Sequence, residues 1–272
     1  MKLKNPAGRI DSVSIIAWVT MVLLAIPIFY ILVYGFLVYG SAIAQQGALI
    51  RSIELTIISS AISAVIVFMI FTPLAFDLSR RQNSFLESAT DIPASIPHPI
   101  VGIAFLILAS PITPFGSFLY SIGIDLYNSI LGLIVVLSFV SAPVYIRSAQ
   151  SVFSAMNRHH EMLGYSLGSS RLSVLYSVVV PSNLKDLVSA VLTAMSRAMS
   201  EFGSVAILTY YIASGPFSSV EPASVLIWND FQTRGPAVAV PEAAIMIVIS
   251  LLLLVIIRVV KSGILSREGK VR

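Results

Sequence analysis

The chain has 272 residues, of which 57% are hydrophobic and only 11% are charged. Soluble domains carry about 25% charged residues, so this composition excludes a soluble globular protein and is typical of a polytopic membrane protein. The absence of cysteine excludes a disulfide framework, a thiolate metal site and a cysteine nucleophile.

Six apolar stretches are long enough to cross a bilayer, because a transmembrane helix needs about 20 residues. In chain order they cover residues 13–39, 50–76, 91–110, 128–150, 184–213 and 240–260. We therefore predict an all-α, polytopic membrane fold with six transmembrane helices. Its parts are an N-terminal cytoplasmic segment (1–12), a first transmembrane helix (13–39), a five-helix core (50–260) and a basic cytoplasmic tail (261–272).

Two of these stretches carry local features of their own. The first follows a basic N-terminus, as the core of a signal peptide would, but its apolar run is nearly twice the usual length of about 7–15 residues. We therefore expect a retained helix.

Four prolines between Pro93 and Pro111 interrupt the third stretch. Prolines are tolerated in membrane helices whose freed carbonyls find partners in protein or water, so we predict a broken helix around residues 95–99 that does not face lipid.

Lys and Arg residues are distributed unevenly across the predicted membrane. With the N-terminus inside, 14 of the 17 lie in inside segments or at the inside ends of the spans, and the outside loops hold only Arg51 and Arg234. Because cytoplasmic loops carry the excess of basic residues, we expect both termini on the cytoplasmic side of a cell membrane. The basic residues then act as topology signals beside anionic lipid, and no basic face remains for nucleic acid. The 14 inside residues are Lys2, Lys4, Arg9, Arg80, Arg81, Arg147, Arg158, Arg171, Lys185, Arg258, Lys261, Arg267, Lys270 and Arg272.

The inside segment at residues 151–181 is too long for a simple turn. Apolar residues recur in it at helical spacing, interrupted at Gly164 and Gly168, which predicts two short amphipathic helices joined by a glycine-bearing bend. Such an element either lies against the membrane surface or inserts into a groove of a soluble partner, and the spacing alone leaves both interpretations open. We expect His159 and His160 to be solvated or at a partner surface, not to bind a metal.

Part of this segment resembles the cytoplasmic signature of ABC importer permeases, E-A-A-x3-G-x9-I-x-L-P. Gly168 takes the place of the glycine and Pro181 that of the proline, with Val178 and Val180 at the apolar positions. The front half departs, since Met-Leu-Gly stands where Glu-Ala-Ala is usual. The resemblance implies a coupling segment that docks on an ATPase subunit. The residues expected to form it are Met156, Glu161, Met162, Leu163, Gly164, Tyr165, Leu167, Gly168 and Arg171.

A second match narrows the family. Residues 196–203, S-R-A-M-S-E-F-G, resemble the A-R-A-x-[GS]-E-[FY]-G segment of the sulfate, molybdate and tungstate permeases, and residues 92–102 resemble the I-P-H…G stretch of the same group. Tyr210, Tyr211 and residues 225–235 are similar to the archaeal-type tungstate/molybdate permeases. The resemblance extends over residues 50–260 and implies the type I fold of ABC importer permeases.

The fifth predicted span offers a candidate anion path. If it were one continuous helix, a stripe about 100° wide would hold Ser189, Thr193, Ser196, Arg197, Ser200 and Ser204. Hydroxyls and a single cation bind a dianion weakly enough to release it. Small residues also line helix packing in bilayers for steric reasons, so packing alone is the alternative interpretation of this stripe.

Two further residues complete the candidate path. Glu201 would repel an anion, so we expect it to brace Arg197 or to shape a gate. His98 is expected to be either a pore-facing donor or the cap of a broken helix. The candidate pathway or gate residues are Ser95, Pro97, His98, Thr193, Ser196, Arg197, Ser200, Glu201, Phe202, Gly203 and Ser204.

The sequence contains no phosphate-binding loop of the form G-x4-G-K-[ST] and no metalloprotease or serine-hydrolase motif. We therefore predict that the chain is not an enzyme and holds no cofactor. The resemblance implies that two copies form a pore, that two separate ATPase subunits bind ATP and Mg, and that an external binding protein delivers a tetrahedral oxyanion, tungstate or molybdate.

Other functions remain as alternatives. One is a sulfate/thiosulfate ABC permease. Another is an ion-gradient-driven secondary carrier, which should show repeated halves with paired broken helices, whereas the sequence predicts one broken span. A third is a membrane anchor or assembly protein, which leaves the stripe of hydroxyls and Arg197 unexplained.

Overall fold

The computed structural model of the chain describes residues 12–40, 47–81 and 83–268. Within these ranges every regular element is helical, which confirms the all-α prediction. Most of the predicted segment 1–12 and residues 269–272 of the predicted tail lie outside the described residues. In chain order the helices are α1 (Ser12–Val33), α2 (Gly47–Arg80), α3 (Ser84–Ser95), α4 (His98–Ala109), α5 (Pro114–Ser121), α6 (Ile130–Ala155), α7 (His159–Ser166), α8 (Arg171–Val174), α9 (Val180–Ser182), α10 (Leu184–Met199), α11 (Val205–Leu208), α12 (Ala223–Thr233) and α13 (Pro236–Glu268), with π-helical turns at Tyr34–Val38 and Leu175–Val179.

Among the described residues, four helices are long and apolar enough to cross a membrane without a break. They are α1 with its π-helical turn, α2, α6 and the Pro236–Val260 part of α13, and they confirm the first, second, fourth and sixth predicted spans. α2 has 34 residues, or about 51 Å at 1.5 Å per residue. Because a hydrocarbon core is only about 30 Å thick, α2 extends well beyond it, and its last residue is Arg80.

The third predicted span is broken, as its prolines predict. α3 and α4 form a pair bent by 100° at residues 96 and 97. Pro97 disfavours helical backbone in the residue before it, and Ile96 is accordingly extended, with a ψ of 137°. The side chain of Asn83 caps the start of α3 by accepting a hydrogen bond from the N–H of Leu86. The break makes His98 the first residue of α4.

The fifth predicted span, residues 184–213, is wrong as a single helix. α10 ends at Met199, and the chain turns through residues 200–204 before the four-residue α11. The apolar composition continues through this turn, so composition does not reveal it. At its other end α10 meets the helical arm Arg171–Ser182 at 87°. When each bent pair is counted as one span, the described residues hold six candidate spans.

The core lies where α2, α6 and α10 pack together. One buried cluster includes Phe76 near the end of α2, Phe153 near the end of α6 and Leu187 near the start of α10. A second cluster, towards the opposite ends of α2 and α6, includes Leu55 and Leu133. Because the two clusters bury apolar surface from all three helices, the hydrophobic effect fixes α10 against the α2–α6 pair.

Small residues allow close helix contacts in this core. The hydroxyl of Ser138 on α6 donates to that of Ser63 on α2 at 3.1 Å. α1 has no buried side chain, and both it and its π-helical turn contact α13. There Gly35 packs so closely on α13 that an added Cβ would lie 2.5 Å from the Cβ of Ala244.

Candidate functional site

Two motifs that are distant in the sequence meet in one cluster of polar side chains, here called the gate cluster (His98, Arg197 and Glu201). Nδ1 of His98 is 2.5 Å from Oε2 of Glu201, and Nη2 of Arg197 is 3.1 Å from the same oxygen. Nη2 also lies 2.9 Å from Nδ1 and 3.0 Å from Nε2 of His98, so it contacts both nitrogens of the imidazole ring. Two basic side chains, one from α4 and one from α10, therefore meet at a single carboxylate oxygen of Glu201.

The carboxylate of Glu201 is fully engaged by protein groups. Its Oε1 accepts from the backbone N–H of Ser204 at 3.0 Å and from the Ser204 hydroxyl at 2.8 Å, while Oε2 faces His98 and Arg197. The residue is only 3% exposed. Its backbone carbonyl accepts a further hydrogen bond from the hydroxyl of Ser224 on α12. Glu201 therefore braces Arg197 and holds the turn before α11, and it has no free oxygen directed at a passing anion.

The glycines of the two motifs let their segments approach each other. A Cβ added to Gly102 on α4 would lie 2.7 Å from the carbonyl oxygen of Ser204. A Cβ added to Gly203 would lie 2.9 Å from Cδ of Pro99. Real Cβ atoms are not found this close to other heavy atoms. Both glycines are therefore needed for the contact between α4 and the turn that carries Glu201.

Arg197 has an inner and an outer side. On its inner side it contacts Glu201 and His98, while its Nη1 donates to the hydroxyl of Ser200 at 3.2 Å. The Arg197 side chain remains 28% exposed, against 2% for that of Glu201. The cluster thus presents the Arg197 cation at the surface of the single chain. Glu201 holds this cation in place and offsets part of its charge.

The polar residues of α10 share the side of the helix that faces away from the core. The opposite side is buried and consists of Leu187, Ala190, Ala194 and Ala198. The partly exposed side, here called the α10 polar face, consists of Ser189, Thr193, Ser196 and Arg197. Ser200 follows directly and is exposed. The structure therefore places these five residues of the predicted stripe along one side of the chain.

Ser204 does not belong to this face, and the predicted stripe is wrong at that residue. The stripe assumed a helix that continues past residue 200, whereas α10 ends at Met199. Ser204 is completely buried, and its hydroxyl donates to Glu201. It supports the gate cluster from within.

The remaining predicted pathway residues lie around the same turn. Ser95 is exposed at the end of α3 and donates to the carbonyl of Asp91 at 3.0 Å. Pro97 is the N-cap residue of α4, directly before His98. The ring of Phe202 lies 5.7 Å from that of Trp228, on the apolar side of the turn. Of these three, Pro97 is the one that positions a member of the gate cluster.

A polar recess of about 420 Å³ lies between α6 and α10, below the gate cluster along the α10 polar face. Its lining includes Arg147, Ser148, Ser151, Asp186, Ser189 and Thr193. Arg147 is held by Asp91 of α3, with Nε 3.0 Å from Oδ1 and Nη2 2.5 Å from Oδ2. From the sequence, Arg147 was predicted only as a topology signal. Arg147 lies within the predicted span 128–150, and ionisable residues in spans face protein or water. That position is the feature of the sequence that could have assigned Arg147 to the recess.

The segment after α6 forms two short helices with one bend, as the sequence predicts. The bend lies at Gly168 alone, with a φ of +81°, and Gly164 is inside α7. The N–H of Ser169 bonds to the carbonyl of Gly164, and that of Gly168 to the carbonyl of Tyr165. These two bonds form the Schellman motif that ends many helices at a glycine. The hydroxyl of Ser170 then caps α8.

The predicted docking residues divide into an outward and an inward set. The outward set, here called the α7 apolar face, is Met162, Leu163 and Leu167, which are 60%, 53% and 77% exposed. The inward set includes Met156 and Tyr165, which pack on the buried cluster at the ends of α2 and α6. Met162 and Leu163 lie on α7 and Leu167 is its C-cap residue, so the three form one exposed apolar patch.

Four other predicted docking residues hold the segment together. Gly164 packs against α8, where an added Cβ would lie 2.9 Å from Cγ2 of Val174. Arg171 is 2.9 Å from Oδ1 of Asp77 on α2, and Gly168 forms the bend. Glu161, which we expected at the docking surface, points inward instead and is only 4% exposed. Burial and the Glu161 carboxylate raise the pKa of the neighbouring Tyr165 phenol.

The chain is similar to known transport proteins over most of its length. Residues 72–266 match the family model described as binding-protein-dependent transport system inner membrane component. A molybdate/tungstate transport system permease protein of Pyrococcus furiosus is 29% identical over 77% of both chains, and that of Thermococcus kodakarensis is 30% identical over the same shares. A sulfate transport system permease protein of Synechocystis is 24% identical over 92% of this chain and 90% of its own. Since the family model covers well over half of the sequence, the chain belongs to the binding-protein-dependent transport system inner membrane components.

Proposed function

We propose that this chain is the permease subunit of an ATP-driven ABC importer for a tetrahedral oxyanion, tungstate or molybdate. Two copies form the pore, two separate ATPase subunits bind ATP and Mg and dock on the cytoplasmic side, and an external binding protein delivers the anion. The observation that carries the proposal is Arg197, held by Glu201 and His98 at the end of a helix face lined by hydroxyls.

The chemistry of the α10 polar face suits the passage of an anion. Hydroxyl groups donate hydrogen bonds to oxyanions without adding charge. Arg197 attracts a dianion, but Glu201 offsets part of its charge, so the anion is bound weakly enough to leave. Because this face is partly exposed on the single chain, we place the path between two copies, each of which contributes one α10.

The α7 apolar face supports the docking of an ATPase subunit. Its three large apolar side chains lie on a helix at the basic, inside end of the spans, between Arg158 and Arg171. An apolar helix face of this kind inserts into a groove on a soluble partner. With this segment inside, the positive-inside rule places both termini in the cytoplasm.

The relatives support the choice of anion. Those of Pyrococcus furiosus and Thermococcus kodakarensis carry molybdate/tungstate transport in their names, at 29% and 30% identity. The Synechocystis relative is named for sulfate transport and matches a larger share of the chain at 24% identity. Sulfate or thiosulfate is therefore the second candidate substrate.

Uptake into proteoliposomes tests this function. The permease, its ATPase subunit and its binding protein are reconstituted, and entry of tungstate, molybdate and sulfate is measured with and without ATP. We expect ATP-dependent entry of tungstate and molybdate that excess sulfate does not suppress. Sulfate entry that excess molybdate fails to suppress would support the second candidate. Entry driven by an ion gradient without ATP, or failure of any ATPase subunit to co-purify with the permease from native membranes, would contradict the ABC importer.

A further inference from the structure

A buried ion pair fastens the docking helix α7 to the end of α2. Nε and Nη2 of Arg80 lie 3.0 Å and 2.8 Å from Oε2 of Glu161, and Nε also lies 3.2 Å from Oε1. The two side chains are only 8% and 6% exposed. The guanidinium binds the carboxylate in a bidentate geometry, which fixes both the distance and the orientation of the two side chains.

The same guanidinium also holds the end of α6. Nη1 of Arg80 donates to the backbone carbonyl of Phe153 at 2.7 Å and to the hydroxyl of Ser79 at 3.2 Å. Its central carbon lies over the ring of Phe76, 5.0 Å from the ring centre. One side chain therefore joins the ends of α2 and α6 to α7.

Short non-helical segments join α7 to the rest of the chain on both sides. Residues 156–158 separate it from α6, and the Gly168 bend separates it from α8. The packing of Tyr165 on the core and of Gly164 on α8 keeps α7 in place, but apolar contacts are not directional. The bidentate pair of Arg80 and Glu161 is directional, and it links α7 straight to the end of α2.

Stability alone does not account for this pair. Burying two charges costs desolvation energy, and well-packed apolar side chains in their place are often as stable or more so. A planar guanidinium that is bound at every edge, however, specifies one orientation of its partner helix. The benefit of the pair is therefore geometric.

We propose that Arg80 and Glu161 are positioning residues that make α7 move together with α2 and α6, so that motion of a docked ATPase subunit reaches the transmembrane core. This inference rests on the proposed docking of α7. α10, which carries Arg197, packs on α2 and α6, and the displacement would reach it through that contact. Without the pair, α7 can follow the ATPase while the core stays behind.

The test compares anions transported per ATP hydrolysed in the complete, reconstituted transporter. We expect Arg80→Ala and Glu161→Gln each to lower this ratio about fivefold or more, which is the lower end of coupling between distant sites. The ATPase subunit should still co-purify, because the α7 apolar face is unchanged. Arg81→Ala is the matched control, since Arg81 is adjacent, 67% exposed and 3.7 Å from Asp77, and exposed pairs contribute little.

A double variant separates positioning from stabilisation. In Arg80→Met/Glu161→Leu no charge is left unpaired, so the complex is expected to assemble in wild-type yield, yet its transport per ATP should stay low. A wild-type ratio in this double variant, or in Arg80→Ala, would overturn the proposal. Arg80→Lys keeps the charge but loses the bidentate geometry. If Arg80→Ala fails to assemble, the Lys variant decides the question, and a wild-type ratio in it would also overturn the proposal.

Failure of the positioning role of Arg80 and Glu161 is distinguishable from failure of the proposed function. If the wild-type permease binds no ATPase subunit, the importer itself is wrong, whatever the variants do. If the wild type transports with ATP and all four Arg80 and Glu161 variants keep the wild-type number of anions transported per ATP, only the positioning role is wrong.

Discussion

Nδ1 of His98 lies 2.5 Å from Oε2 of Glu201, although 103 residues separate them in the chain. The contact joins the start of α4 to the turn after α10, and Arg197 adds a third member through the same carboxylate oxygen. The first residue of α4 and the last turn of α10 thus both contact one buried carboxylate. Because Glu201 is bound on both oxygens, its orientation fixes that of the arginine beside the α10 polar face.

Glu201→Gln is expected to destabilise the assembled protein. Both carboxylate oxygens accept hydrogen bonds, Oε2 from His98 and Oε1 from Ser204, and an amide turns one acceptor into a donor. We expect a loss of about 1–3 kcal/mol for a buried group left unsatisfied, seen as a lower thermal unfolding midpoint in detergent. Glu54→Gln on the exposed side of α2 is the control. Equal midpoints for the two variants would contradict the bracing role.

Gly203→Ala is expected to push α4 away from the turn that carries Glu201. The added Cβ would lie 2.9 Å from Cδ of Pro99 and 3.1 Å from Cβ of His98. Overpacking of this kind costs about 1–3 kcal/mol, and we expect both the unfolding midpoint and anion uptake to fall. In Gly47→Ala the added Cβ meets nothing within 4 Å, so this control should match the wild type. A Gly203→Ala protein with the wild-type unfolding midpoint and uptake would disprove the close contact.

Gly168→Val is expected to uncouple ATP hydrolysis from uptake while the protein remains in the membrane. The left-handed backbone at Gly168, with a φ of +81°, costs a side-chain-bearing residue about 1–2 kcal/mol, and relief of that strain redirects α7. Gly123→Val is a matched control, because Gly123 has a φ of +77° and equally open space but lies before α6, at its outer end in the proposed topology. Uncoupling in both variants, or in neither, would count against docking at α7.

Arg197→Ala is expected to reduce oxyanion uptake about tenfold or more, since a hydrogen bond to a charged group contributes about 1.5–3 kcal/mol. It also leaves Glu201 with less compensation, so the amount of assembled protein must be measured with uptake. Arg197→Lys keeps the charge and should recover part of both. Arg234→Ala, the control, removes a comparable pair, 3.0 Å from Asp230, away from the α10 polar face. An unaffected, correctly assembled Arg197→Ala transporter would rule out both pathway and bracing roles.

Hydropathy was sufficient for the helices that cross the bilayer directly. The apolar parts of α1, α2, α6 and α13 follow the predicted spans, because the thickness of the apolar phase sets how many consecutive apolar residues a crossing helix needs. Pro97 likewise predicted the break between α3 and α4, since proline restricts the residue before it. Gly168 predicted the bend in the docking segment for a similar local reason.

Other features depend on partners that are distant in the sequence. The turn after Met199 lies in an apolar stretch, and it is held by the contact of Gly203 with Pro99 and by the hydrogen bonds of Glu201. No local pattern records these contacts, so the predicted helix ran on to residue 213 and Ser204 was placed on the wrong side. The inward orientation of Glu161 has the same origin, because its partner, Arg80, lies 81 residues earlier.

The sequence by itself therefore determined the membrane class, the main spans, the proline break and the glycine bend, all of which follow from composition or from backbone restrictions within a few residues. Only the tertiary structure decided which polar side chains meet. It brought His98 to Glu201 and Arg80 to Glu161, because a charged group in a low-dielectric interior must find a partner wherever the packing of helices brings one.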